Sequence, residues 1–323
     1  MSMQNSKAKL PTKIILDTDP GIDDAMAIFF AMLAPEIELL GLTTTFGNVS
    51  VDMATENALR LVEMMNLDTP VAKGESKPSV QMPAPFPDFV HGKDGFGNLY
   101  LPAPKSKAID LTAAEFIVKN ILDHPNEITL IAIGPLGNLA TALSLEPRIT
   151  SLVDKVVIMG GTFKEDGNVS PVSEANIFSD PHAADKVFSA DWTVHVIGLD
   201  VTHKVTLTEK LQQTIRDKNA TFGDFLYQAS KFYTAFYKAN RGVNGCYMHD
   251  TSAIAYTINP DLFEVVKGPI RVATEGVAKG QTILKNNQYV YPESHWENIT
   301  DSVVAMGVDE QGVLDLYMKT ITN

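Results

Sequence analysis

Four carboxylates fall within eight consecutive residues, Asp17-Thr18-Asp19-Pro20-Gly21-Ile22-Asp23-Asp24, between the apolar runs KIIL and AMAIFFAML. Alternate residues of a strand share a face, so Asp17 and Asp19 point the same way at the end of the strand that KIILDTD predicts. Pro20-Gly21 makes a turn. Asp23 and Asp24 then enter the first turn of a helix, where the macrodipole favours an acid by about 0.3–1 kcal/mol. Capping accounts for one or two of these aspartates but not for four together. Converging unpaired carboxylates raise one another's pKa and destabilise the fold, a conflict that a bound cation removes. Oxygen donors without neighbouring Cys or clustered His select a hard ion, calcium or magnesium, over zinc. The spacing is not that of an EF-hand loop, so further ligands must come from elsewhere in the chain. His249-Asp250, in GCYMHDTSAIAY, is the distant candidate: Asp250 opens a helical run and offers a carboxylate, and His249 beside it can move protons.

Placing these groups requires a sheet. Short β-rich runs alternate with helix-period segments: KIILDTD, then IDDAMAIFFAMLA, then IELLGLTTTFG, then VDMATENALRLVEMMN. After a break come the helix LTAAEFIVKNILDH, the buried strand EITLIAIG, the helix LGNLATALSLEP, and the strands KVVIMGG and TVHVIGLDV around a helix that begins near Pro181. This order predicts βαβ units, hence an α/β fold with one open, mostly parallel sheet covered by helices on both faces. Ligands of such sheets bind outside the carboxyl ends of the strands, where Asp17 and Asp19 fall. Residues 73–110 are rich in Pro and Gly and too long for an ordinary connection, which predicts a functional loop or lid. Residues 161–176 form a second polar insertion after a strand. TFGDFLYQASKFYTAFYKANRG reads as an aromatic-rich helix with Tyr233 and Tyr237 four apart on one face. No repeat or linker interrupts the chain, so residues 1–323 are expected to form a single domain, with 1–11 a loose tail.

The bulk properties exclude several partners. A formal charge of -13 without a Lys/Arg cluster argues against nucleic acid. No apolar run approaches the ~18 residues of a membrane span, and the polar N-terminus lacks the apolar core of a signal peptide. Cys246 is the only cysteine, which rules out an intramolecular disulfide and fits a reducing compartment; cytoplasm is the expected location.

Over nearly its whole length the chain resembles the nucleoside hydrolases, the inosine–uridine-preferring type in particular. DTDPGIDDA, TTFGN, HGKDGFGN, IGPLGNLA, IMGG, NVSPVSEAN and MHD occur in that family's order. The resemblance implies a calcium ion (Ca2+) held by Asp19, Asp24, Asp250 and the main-chain carbonyl of Ile133, with Asp17 supporting Asp19 from behind and Asp23 free to bind the ribose diol. It implies that Asn48, Met159, Asn168, Glu174 and Asn176 grip the ribose. The reaction implied is hydrolysis of a ribonucleoside to free base and ribose, in nucleoside salvage. Asp19 would be the general base, His249 the proton donor to the leaving base, and His91 a second contact to that base. Tyr233 and Tyr237, with His249, resemble the base-side wall of the inosine–uridine group, and Arg241 is assigned to the base end. Purine-specific relatives sandwich the base between tryptophans. Trp192 and Trp296 lie in neither the HGKDGFGN loop nor the Tyr-rich helix, so uridine, cytidine and inosine are the expected substrates. The family's habit implies a homodimer or homotetramer.

Two rivals are weighed against this. A phosphatase of the haloacid dehalogenase type also begins with a strand ending in D-x-D and uses magnesium, but its motif continues with Gly and Thr or Val, not with Pro20-Gly21-Ile22-Asp23-Asp24. A non-catalytic nucleoside or ribose-binding protein would need the sugar contacts without an activated water.

Overall fold

The computed structural model describes residues 10–292 and 294–323, so most of the expected N-terminal tail, residues 1–9, lies outside the described residues. The central sheet is built on β1 (Thr12–Thr18), which pairs in parallel with β2 (Ile37–Thr44) and with β4 (Ile128–Ala132). β3 (Val71–Lys73) flanks β2, while β5 (Lys155–Met159) and β6 (Val194–Ile197) continue beyond β4. β12 (Ser302–Val308) lies parallel to β6, and β9 (Phe263–Gly268) closes that edge antiparallel. The order β3-β2-β1-β4-β5-β6-β12-β9 is the expected open, mostly parallel α/β sheet. Two small ribbons stand apart: β7 (Thr206–Thr208) with β8 (Gly245–Tyr247), and β10 (Ile270–Val272) with β11 (Thr282–Leu284).

Alternation along the strands divides the core into two layers. Ile14 and Leu16 of β1, Ile131 of β4 and Val157 and Met159 of β5 face one layer; Ile15, Leu130, Val156 and Ile158 face the other. On the first face pack α1 (Ile22–Leu33), α2 (Val51–Met64), α9 (Glu209–Lys218), α10 (Gly223–Arg241), α11 (His249–Ile258) and α12 (Glu310–Thr322). On the second pack α4 (Ala113–Asp123), α5 (Gly137–Leu145) and α7 (Pro181–Phe188). Three short helices, α3 (Asp88–His91), α6 (Ala175–Ser179) and α8 (Leu199–Thr202), sit in the connections. No helix among the described residues is long and apolar enough to cross a membrane.

One expected element is shorter than its sequence pattern. TVHVIGLDV reads as strand throughout, but β6 stops at Ile197, and Leu199–Thr202 turn into α8. The neighbouring β5 has already ended at Met159; Gly160 makes the last contact to Ile197, and the Leu199 N–H is taken by the Gly161 carbonyl at 3.0 Å. Having lost its β5 neighbour on one side, the apolar run continues as helix.

Candidate active site

At the carboxyl end of β1 the chain turns directly into α1, and both termini of that turn are acidic. The Asp24 carboxylate accepts four donors: Thr18 Oγ1 at 2.5 Å, the Asp19 N–H at 3.2 Å, the Gly21 N–H at 2.9 Å and Asn48 Nδ2 at 2.9 Å. It therefore caps α1 and fixes the turn in one stroke. Asp17, on the strand itself, has Oδ1 held by Thr43 Oγ1 at 2.5 Å and Asn138 Nδ2 at 2.7 Å. Asp19 lies one residue past β1, with Oδ2 accepting from the Asn48 N–H at 2.6 Å. Asp23 accepts from the Tyr233 hydroxyl at 3.0 Å. The second oxygen of each of the last three, Asp17 Oδ2, Asp19 Oδ1 and Asp23 Oδ1, is buried and finds no hydrogen-bond partner among the described residues. α11 brings Asp250 to the same place, so that Asp23, Asp24 and Asp250 each offer an oxygen within 4.8 Å of the others.

Burial drives the electrostatics of this cluster, with mutual repulsion added to it. Asp19 is held well above the usual carboxylate range by desolvation and then by Asp24, and Asp250 by desolvation and then by Asp23, Asp24 and Asp19. Desolvation raises Asp17 to about 7 against the opposing bonds from Thr43 and Asn138, raises Asp23 to about 7 with help from Asp24, and raises Asp24 less, because its four donors favour the charged form. Among the described residues the one cationisable side chain within ion-pair reach is His91, 3.9 Å from Asp23. Burial pulls that imidazole down to about 3, so it brings no charge at neutral pH. Five buried carboxyl groups without a counter-charge, three bearing an idle oxygen, could hold a hard divalent cation. The residues present fit such an ion. The oxygens that meet are those of Asp23, Asp24 and Asp250, and Asp19, expected as a ligand, keeps an unpartnered Oδ1; Ile133, whose carbonyl accepts from Asn176 Nδ2 at 2.9 Å, lines the same cavity.

The floor belongs to a cavity of about 390 Å³. Of the residues singled out from the sequence, Asp19, Asp23, Asn48, His91, Ile133, Met159, Asn168, Glu174, Asn176, Tyr233, His249 and Asp250 line it. The Pro-rich stretch from Ser76 to Val90 supplies its rim, with Met82, Phe86 and Phe89 exposed there. Asp17 and Asp24 lie behind the wall. Several lining residues also perform structural work. Asn48 spends its main-chain N–H and side-chain amide on Asp19 and Asp24, and Asn176 Nδ2 bridges the Ile133 and Met159 carbonyls. Glu174 caps α6 and takes the N–H groups of Asn176, Ile177 and Gly161 at 2.8, 3.2 and 3.0 Å, while desolvation raises it to about 7. Asn168 is exposed at the mouth.

Beside Asp23, His91 Nδ1 accepts the Ile22 N–H at 3.2 Å. His249, 4% exposed, has both ring nitrogens engaged: Nδ1 with Thr202 Oγ1 at 2.8 Å and Nε2 with the Tyr237 hydroxyl at 2.8 Å. Desolvation, then His203 and His91, holds its pKa well below the usual value. Tyr237 lies 3.2 Å from the Tyr233 hydroxyl, so a chain of hydroxyls connects His249 to Asp23. Arg241, expected at the base end, stands apart from the cavity lining: it is exposed, and its Nη2 donates to the Gly167 carbonyl at 3.1 Å. It extends the Tyr233–Tyr237 face one turn too far and holds the 161–174 loop instead.

Asn138, Thr43, Asp200 and Thr202 shape the site and are not singled out by sequence reasoning. Asn138 Nδ2 also donates to the Thr44 carbonyl, and its Oδ1 accepts the Glu75 N–H, which ties the strand ends together behind Asp17. Its place in IGPLGNLA was the available signal. HGKDGFGN likewise contains scaffold: Asp94 accepts the N–H groups of Phe96, Asn98 and Tyr100, and keeps His91 on a rigid loop.

Residues 14–315 match the family model described as inosine-uridine preferring nucleoside hydrolase. Uridine nucleosidase 1 of Arabidopsis thaliana is 41% identical over 309 residues, which cover 95% of this chain and 92% of that one. The inosine-uridine preferring nucleoside hydrolase of Leishmania major is 40% identical over 279 residues, covering 85% and 88%. Among solved structures, a plant nucleoside hydrolase superposes with a TM-score of 0.93 at 38% identity, covering 97% and 99%. A purine-preferring ribonucleoside hydrolase from Gardnerella vaginalis gives 0.90 at 34%, covering 96% and 98%.

Proposed function

The chain belongs to the inosine-uridine preferring nucleoside hydrolase family, and on that footing we propose that it splits uridine, cytidine and inosine into free base and ribose with the help of a bound calcium ion. The observation that carries this reading is the pair of buried, unpartnered carboxylate oxygens of Asp19 and Asp23 in a cavity that is also lined by His91 and His249. Oxygen-only donors support calcium as the ion. The names of the Arabidopsis and Leishmania relatives, at 41% and 40% identity against 34% for the purine-preferring structure, support the substrate choice.

Each residue's part follows from its surroundings. Asp19, with one oxygen idle, accepts the proton of the attacking water. Asp23 Oδ1 is free to take a ribose hydroxyl, and its other oxygen is kept in place by Tyr233. A calcium ion held by Asp19, Asp24, Asp250 and the Ile133 carbonyl would neutralise the cluster and lower the pKa of a coordinated water. As the glycosidic bond stretches, positive charge grows on the ribose, and the surrounding carboxylates stabilise it more than they stabilise the neutral substrate. The leaving base gains negative charge beside His249; that charge raises the proton affinity of an imidazole which burial keeps neutral at rest, and favours a proton at Nε2, which would exchange its Tyr237 hydroxyl partner for the base.

The test is release of free ribose from uridine, cytidine and inosine in phosphate-free buffer with calcium present. Asp19→Asn is expected to lose about 1,000-fold or more in kcat with an unchanged circular-dichroism spectrum, since it removes the general base while keeping the shape. Ribose 1-phosphate formed only on addition of phosphate would replace hydrolysis by phosphorolysis.

A further inference from the structure

The segment Leu199-Asp200-Val201-Thr202, α8, carries none of the roles assigned so far, yet it touches both halves of the site. The two carboxylate oxygens of Asp200 accept three consecutive main-chain N–H groups, from Phe163 at 2.8 Å, Lys164 at 2.7 Å and Glu165 at 3.2 Å. These residues begin the loop that brings Asn168 to the cavity mouth. Two positions later, Thr202 is fully buried, and its Oγ1 lies 2.8 Å from Nδ1 of His249. Thr202 is itself rigid: its N–H is bonded to the Gly198 carbonyl at 3.1 Å, and β-branching restricts its χ1.

We propose that Thr202 is a positioning residue for His249 and Asp200 for the ribose loop, so that α8 sets the distance between the proton donor and the sugar it serves. The bond at Nδ1 fixes the rotation of the ring and with it the direction of Nε2, which meets the Tyr237 hydroxyl on the other side. The inference rests on the reading of His249 as proton donor to the leaving base.

Two substrates separate the roles: uridine, whose leaving base needs a proton, and 4-nitrophenyl β-D-ribofuranoside, whose leaving phenolate is stable without one. His249→Ala is expected to lose about 100-fold or more in kcat on uridine and far less on the nitrophenyl riboside. Thr202→Val removes the hydroxyl at constant shape; its kcat on uridine should fall about 10- to 100-fold with KM within about threefold, and the nitrophenyl riboside should be affected about threefold or less. Thr202→Ser should recover most of the uridine rate. Asp200→Asn should raise KM about tenfold on both substrates, because the ribose is common to both. If Thr202→Val does not fold, Thr202→Ala takes its place. A uridine rate kept by the Thr202 variants while His249→Ala is selective overturns the inference alone, as does an equal loss on both substrates. Absence of selectivity in His249→Ala overturns the reading of His249 and this inference with it.

Discussion

Removing the divalent ion should cost the protein stability by an amount that grows with pH. The perturbation is a chelator, and the readout is the melting temperature with and without calcium between pH 6 and 8. At a free ion concentration of 100 times Kd, binding to the folded form alone adds about 2.7 kcal/mol. With an unfolding entropy of about 2.1 cal/mol/K per residue, 1 kcal/mol moves the midpoint of a chain this long by about 1.5 °C, so the gap should be about 4 °C. The pH term comes from the carboxyl groups. Asp17, Asp23 and Glu174 titrate at about 7 when folded, against 3.8 or 4.5 as model values, so the ion-free fold binds protons that the unfolded chain has already released. Their contribution is full below the unfolded values and is lost as pH rises through 7, at about 1.4 kcal/mol per pH unit for each proton still held. His91, at about 3, and His249, held well below its usual value, act oppositely: they favour the fold above 6.5 and weaken it as pH falls below that. Between pH 6.5 and 7.5 the carboxyl groups therefore act alone. Each holds about half a proton on average over that interval, so Asp17, Asp23 and Glu174 together withdraw about 2 kcal/mol, or roughly 3 °C, from the chelated protein. In the calcium-loaded protein the nearby cation favours the ionised form of these groups, so its midpoint should fall less. A gap that stays constant or narrows as pH rises, or no response to any divalent ion, would refute the assignment of this cluster as a cation site.

Two further outcomes can be stated. A Cβ on Gly134 would stand 2.5 Å from Asp19 Oδ1, so Gly134→Ala must push that carboxylate aside; kcat should fall about 100-fold while the melting temperature moves by only a few degrees, which kinetics and calorimetry on one preparation will read. Cys246 is fully buried, and desolvation followed by Asp23 pushes its thiol far up, so iodoacetamide should leave the native protein unlabelled at pH 8 and modify one thiol per chain in denaturant.

The legible part of this protein was the part whose geometry is local. Asp17 through Asp24 occupy a strand end, a turn and a helix start, and periodicity alone puts them together. The parallel sheet followed from the alternation of short apolar runs with amphipathic helices. The partners of those aspartates were not legible, because they are fixed by register between distant segments: Asn138 reaches Asp17 across 121 positions, and Thr43 meets it only because β2 pairs with β1 in one particular register. Helical spacing put Tyr233 and Tyr237 on one face, yet it does not say where a cavity stops: Tyr233 lines it, whereas Tyr237, which holds His249 and Tyr233, and Arg241, expected at the base end, both stand outside the lining. The hydrophobic run through Val194 to Val201 looked like one strand because a buried strand and a buried short helix carry the same residues; what ended β6 was the departure of its neighbour at Gly160.

α10 is one unbroken rod of 19 residues, about 28 Å long at 1.5 Å per residue. Its successive turns touch Asp23 through Tyr233, His249 through Tyr237 and the Gly167 carbonyl through Arg241. All three contacts fall within its last nine residues, and a helix bends little and does not stretch, so any displacement of that end moves the supports of Asp23, of His249 and of the 161–174 loop together.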